Sequence, residues 1–138
     1  MNETPAFFFM KKQIDKSQII YGTRAIMEAL QKGKELEKCQ ALTKWVPQPG
    51  RITRSIANES IERSLHRMNV SSIDLLQFHW WDYNNPYYMD ALKYLSDLQD
   101  EGIIRHIGLT NFDTERLQIM MDSDLQIVSN QVQYSIID

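Results

Sequence analysis

Cysteine, proline and glycine are all scarce in this 138-residue chain, with one, four and five copies respectively. The lone Cys39 can form no intrachain disulfide, so a reducing compartment, the cytoplasm, is the simpler expectation, and Cys39 itself reads as core. No glycine-rich phosphate loop occurs. Long apolar runs are missing too. The run from Pro5 to Met10 falls far short of the roughly 20 residues a membrane span requires, and no basic stretch precedes it, so no membrane association is expected. Neither sign of charge dominates: 15 Lys and Arg against 18 Asp and Glu leave a formal charge of -3. The basic residues are scattered along helical patterns, which gives nucleic acid no electrostatic footprint and leaves small molecules as the expected partners. A metal site is not expected either. His66 lies beside Arg67 on a helical face, His106 lies within a strand near Arg105, and His79 and Asp82 lack a third ligand.

What is present is an alternation of short apolar runs with helical patterns, which implies a parallel sheet. Residues 1–20 show no clear period and form a poorly specified N-terminal segment; residues 21–138 carry the organised pattern. From Tyr21-Gly22 the pattern is helical toward Glu37. Cys39 to Thr43 then reads as a strand ending at Lys44, and Trp45 to Gly50, with two prolines, as a loop. Ala57, Ile61, Leu65 and Met68 recur at helical spacing and mark one buried face. Ile73 to Phe78 is the next strand, with His79 at its end. Asn85-Pro86 is placed to open a helix whose inner stripe is Tyr88, Leu92, Leu95 and Leu98, and Gly102 to stop it. Ile103 to Leu109 forms a strand leading to Thr110-Asn111, Asp113 can cap a helix with Leu117 and Met121 facing inward, and Ile127 to Val132 is the last strand, carrying Gln131.

Four runs therefore end in chemically capable residues: Lys44, His79, Thr110-Asn111 and Gln131. In barrels of parallel strands such residues converge at the C-terminal mouth. Taken singly, each has a plain structural explanation: a solvated lysine, a rim histidine, a turn asparagine. The aromatics after His79, namely Trp80, Trp81, Tyr83, Tyr87 and Tyr88, fit rim packing as well as they fit substrate contact.

The ordered set Leu42-Thr43-Lys44-Trp45, Leu76 to Asp82 (LQFHWWD), Gly108-Leu109-Thr110-Asn111-Phe112 and Ser129-Asn130-Gln131-Val132 resembles successive motifs of the aldo-keto reductases. The resemblance covers roughly residues 21–138 and implies a partial (β/α)8 TIM barrel, about strands 3 to 6 with their helices. A complete barrel typically takes about 250 residues. It also implies an oxidoreductase that moves a hydride between NADP(H), or NAD(H) in its place, and an aldehyde or ketone, with no metal. By this resemblance Tyr21 would be the general acid, Lys44 would lower its pKa, and His79 would orient the carbonyl oxygen. Thr110, Asn111 and Gln131 would hold the nicotinamide carboxamide, and Trp80 and Trp81 would wall the substrate pocket.

Two features depart from the family's pattern. The carboxylate that usually pairs with the lysine lies five residues before the tyrosine; here that position is Lys16, and Asp15 is the nearest stand-in. The loops after strands seven and eight, which in the family grip the cofactor phosphates, have no counterpart. The competing expectation is a noncatalytic barrel fragment that binds another chain, or a second copy of itself, through exposed strand edges.

Overall fold

The computed structural model of the protein describes residues 19–21 by their backbone and residues 40–133 in full. Cys39, Asp15 and the helical pattern from Gly22 to Glu37 lie outside the described residues. Within them the order is β1 (Ile19–Tyr21), β2 (Gln40–Trp45), α1 (Arg54–Met68), β3 (Ile73–His79), α2 (Tyr88–Asp100), β4 (Ile104–Thr110), α3 (Thr114–Met121) and β5 (Ile127–Gln131). The strands form one sheet in chain order, and every neighbouring pair is parallel. Ile19 and Ile20, which show no period in sequence, pair with Gln40 and Ala41. A three-residue strand is too short to alternate visibly.

Parallel pairing requires a crossover between strands, and from β2 to β5 the helices α1, α2 and α3 supply it on one face. Ala41 and Trp45 of β2, Leu76 and Phe78 of β3, and Ile107 and Leu109 of β4 are buried. They meet Ala57, Ile61 and Met68 of α1, the stripe Tyr88, Ala91, Leu92, Leu95 and Leu98 of α2, and Met120 of α3 in one core. Because side chains alternate across a strand, the opposite face receives Lys44, Gln77, His79, Gly108, Thr110, Ser129 and Gln131. The same face carries Leu42, Ile73, Leu75 and Ile104 toward the N-terminal ends of the strands, so it is apolar at the foot and polar at the C-terminal ends.

Local chemistry sets the element ends. Thr53 caps α1 by accepting the Ile56 N–H at 3.3 Å, and Asn69 closes it in the left-handed conformation at φ 53°. Asp113 caps α3 through Oδ1, which accepts the Arg116 N–H at 2.9 Å. Gly102, at φ 77°, lets the chain leave α2 in a conformation that costs glycine nothing. Two expectations are corrected. Asn85-Pro86 does not open α2: Asn85 Oδ1 accepts the Tyr87 N–H at 3.2 Å in a preceding turn, and the helix begins at Tyr88. In α3 the inward methionine is Met120, fully buried, while Met121 is 61 % exposed, so the i+3 rather than the i+4 neighbour of Leu117 turns to the sheet.

Asp74 ties three strands at their lower ends. Its Oδ2 accepts the Ala41 N–H of β2 at 2.7 Å, and its Oδ1 accepts from Arg105 of β4 at 2.7 Å. Higher up, the register between β4 and β5 shifts between Ile107 and Gly108. A Cβ added at Gly108 would lie 2.5 Å from Ser129 Oγ and 3.4 Å from Leu75 Cδ1. Gly108 is therefore required by close approach rather than by its own backbone angles. Gly108→Ala is expected to destabilise the fold by about 1–3 kcal/mol, the usual cost of overpacking. Adding Ser129→Ala should recover most of that loss in urea unfolding; equal stability of wild type and the Gly108→Ala variant would show that Ser129 simply rotates away.

Candidate active site

The polar ends of β2 to β5 are brought level by the register. His79 pairs with Thr110, and Thr110 with Gln131, so three of the expected site residues share one rung. Lys44 is paired with Gln77, one rung lower along the same face. Its side chain rises to close the group: Lys44 Nζ donates to Gln131 Oε1 at 2.9 Å. On a flat sheet β2 and β5 would stand three spacings apart, roughly 14 Å. The contact shows that the sheet curls toward its polar face, as strands do in a barrel.

His79 responds to this setting. Its pKa is held below the ordinary value near 6.5, first by burial and then by the positive charge of Lys44. At neutral pH the imidazole is therefore uncharged, with one N–H to donate and one nitrogen to accept. Thr110 is buried, and its Oγ1 has no hydrogen-bond partner. Asn111 stands at φ 59°; its N–H donates to Gln131 O at 2.8 Å, and its Oδ1 accepts the Gln133 N–H at 3.1 Å. Asn130, on the other face, locks the same turn by accepting Phe112 N–H and donating to Phe112 O.

Tyr21 ends β1 and pairs with Leu42, two residues before Lys44, which puts its backbone at the same end of the sheet. Trp80 and Trp81 separate. Trp80 is 1 % exposed, donates its indole N–H to Asp82 O at 2.6 Å and stacks on Phe78 at 6.1 Å between centroids, so it belongs to the packed layer rather than to an open wall. Trp81 is 57 % exposed and is the one of the pair free to touch a ligand. Lys44 also borders an open cleft of about 600 Å³ that runs along the 46–52 loop past Arg63 and Arg67 of α1. Among the described residues no cluster of His, Cys, Asp and Glu could hold a metal ion, and no helix is long and apolar enough to cross a membrane.

Sequence reasoning gave no role to Gly108, whose missing side chain lets Ser129 pack against β4 below the group. Nor did it single out Arg116, which sits over the ring of Tyr83 at 4.4 Å. The Asp113/Arg116 spacing of three on a helix start was the available signal for the latter.

A curled parallel sheet with helices on one face and polar strand ends on the other is a segment of a (β/α)8 barrel. The chain belongs to the aldo/keto reductase family, whose family-wide profile matches residues 12–138. It is 34 % identical over 64 residues to the methylglyoxal reductase DkgA of Yersinia pestis, a match covering 46 % of this chain and 23 % of that protein. A thermostable aldo-keto reductase solved with the inhibitor epalrestat is 30 % identical with a TM-score of 0.69, over 84 % of this chain and 41 % of that one. A Bombyx mori aldo-keto reductase in complex with NADP shares the fold at a TM-score of 0.67 and 20 % identity, over 85 % of this chain and 44 % of that one. The chain thus spans less than half the length of these relatives.

The His79 environment yields a pH expectation. Because the folded pKa lies below the unfolded one, the folded state loses stability as pH falls below about 6.5 toward the lowered value, and is unaffected by this group above it. An NMR titration should give His79 a midpoint below 6.5, and Lys44→Met should raise it part of the way back, since burial remains. A midpoint unchanged by Lys44→Met would remove Lys44 from the imidazole's surroundings.

Proposed function

We propose that the chain carries the central part of an NAD(P)H-dependent oxidoreductase that interconverts a small carbonyl compound and its alcohol. The observation that supports this most is the convergence of Lys44, Gln131 and an uncharged His79 at the strand ends of one curled sheet. The donor set suits a nicotinamide carboxamide. Gln131 and Asn111 carry amides, and Thr110 Oγ1 is a buried hydroxyl still without a partner. When bound, the nicotinamide supplies or accepts the hydride.

The chain's own residues manage the proton and the oxygen. In reduction, Tyr21 gives its hydroxyl proton to the carbonyl oxygen as the carbon gains hydride, leaving an alcohol. A phenol has an ordinary pKa near 10, and a nearby ammonium favours its ionised form. Lys44 is assigned that task, with Asp15 as the carboxylate that would pair with it. His79, uncharged, donates a hydrogen bond to the substrate oxygen and fixes its direction, while Trp81 covers one side of the substrate. The relatives named methylglyoxal reductase make a small ketoaldehyde the first substrate to test.

A second reading draws on the β5 side. Val128 and Val132 are 55 % and 58 % exposed, and Ile119 and Met121 of α3 are 53 % and 61 % exposed. Among the described residues no strand pairs with the outer edge of β5, and such an edge beside apolar groups suits pairing with a second copy, which sedimentation would reveal as a species heavier than one chain.

The catalytic assignment is tested in a chain extended to the full length of its relatives. Tyr21→Phe should lower kcat for NADPH-dependent methylglyoxal reduction by about 10² to 10⁴, the scale of general acid catalysis. Lys44→Met should act in the same direction. Turnover at the parental rate in the Tyr21→Phe enzyme would end the assignment.

A further inference from the structure

Among the described residues only two other than glycine hold positive φ, Asn69 and Asn111. Asn69 is a helix C-cap, with its N–H directed to His66 O and Leu65 O, and so has an ordinary reason for its shape. Asn111 has none of that kind, for it lies between a strand and the cap of α3. Asparagine tolerates the left-handed region better than most residues, and here its surroundings fix it there. Two of its restraints come from the β5 side, from Gln131 O and Gln133 N. The third comes from a different loop: the Tyr83 hydroxyl donates to Asn111 O at 3.0 Å.

Tyr83 is itself held on several sides. Its ring meets Phe112 edge-on at 5.4 Å and Tyr88 at 6.3 Å, and the Arg116 guanidinium lies 4.4 Å from its centroid. Arg116 is in turn paired with Asp113, the residue that caps α3. Burial raises the Tyr83 pKa above its ordinary value, with Arg116 opposing and Asp113 and Tyr88 adding, so the phenol keeps the proton that it donates. Guanidinium over a phenol ring is a favourable stack, and it leaves the hydroxyl free to bond elsewhere.

We propose that Tyr83, backed by Arg116, is a positioning residue for the cofactor side of the site: its hydroxyl clasps the Asn111 carbonyl and holds the left-handed turn that sets Thr110 and Asn111 beside Gln131. The inference rests on the reading of those three residues as nicotinamide contacts. It adds a coupling that the reading lacks. The loop after β3 carries the exposed Trp81, and the clasp ties that loop to the turn after β4.

The test uses the whole 138-residue chain, labelled for NMR, and compares wild type with Tyr83→Phe, which keeps the ring and its packing but removes the donor. Amide exchange at Asn111 should quicken by roughly 2- to 10-fold, the equivalent of one ordinary net hydrogen bond. Exchange at Ile107 and Leu109 should stay unchanged, which reports that the core is intact. With millimolar NADPH as the probe, the shifts at Thr110, Asn111 and Gln131 should titrate with affinity reduced by a similar factor. Unchanged Asn111 exchange would overturn the clasp. Faster exchange with undiminished NADPH affinity would overturn its positioning role. Faster exchange with no NADPH-induced shift at those residues, in wild type as well, would support the clasp and contradict the cofactor reading instead.

Discussion

Parallel pairing from β2 to β5, regular except for the one shift between β4 and β5, is the constraint on which the rest depends. Parallel strands run with their C-terminal ends on the same side, and the register here places His79, Thr110 and Gln131 on one rung with Lys44 one rung below. A slip of one residue in any strand would send its polar end residue to the helix-covered face and an apolar one to the open face. The register is therefore enforced by burial: Trp45, Phe78 and Leu109 can be dry only if Lys44, His79 and Thr110 face the other way. Asp74 at the foot and the close approach of Gly108 and Ser129 near the top leave little room for alternatives. Site geometry is in this sense a by-product of core packing.

The two faces also explain the electrostatics. Helices cover the apolar side, so desolvation there costs little, while the polar side gathers one cation and several amides. His79 sits where partial burial and Lys44 both disfavour its charged form, which keeps an uncharged hydrogen-bond donor at neutral pH. The loops above the rung are cross-tied by side chains rather than by regular structure. Asn130 binds Phe112, Tyr83 binds Asn111, and Arg116 bridges Tyr83 and Asp113. Such ties fix positions to within the tolerances that a binding site requires.

Strands β2 to β5 were legible in the sequence because each is a short segment with apolar residues that carries a polar residue at or next to its end, and α1 because Ala57, Ile61 and Met68 keep a strict period. The ends were less so. Cross-strand register decides whether Thr110 closes β4, and tertiary packing chose Met120 over Met121, which the helix period alone leaves equivalent. The start of α2 was misplaced because Asn85 caps a turn just as readily as a helix. Lys44, His79, Thr110, Asn111 and Gln131 were readable as strand-end residues. What no sequence pattern carried is the reach of Lys44 to Gln131 across two intervening strands, since that depends on curl, and the burial of Trp80 apart from its neighbour Trp81. The Tyr83 clasp was equally hidden, being a contact between residues 28 apart.

The central claim is that these strand ends form the nicotinamide side of a barrel mouth, and it is tested most directly by mapping NMR shift changes in the 138-residue chain as NADPH is added. Contacts from a few amides and one hydroxyl are weak by themselves, so the account requires weak binding at the strand ends, with a dissociation constant about millimolar or about 4 kcal/mol. The shifts should centre on His79, Thr110 and Gln131. Tight, micromolar binding, or shifts confined to Arg63, Arg67 and the 46–52 loop, would place the cofactor elsewhere and contradict it.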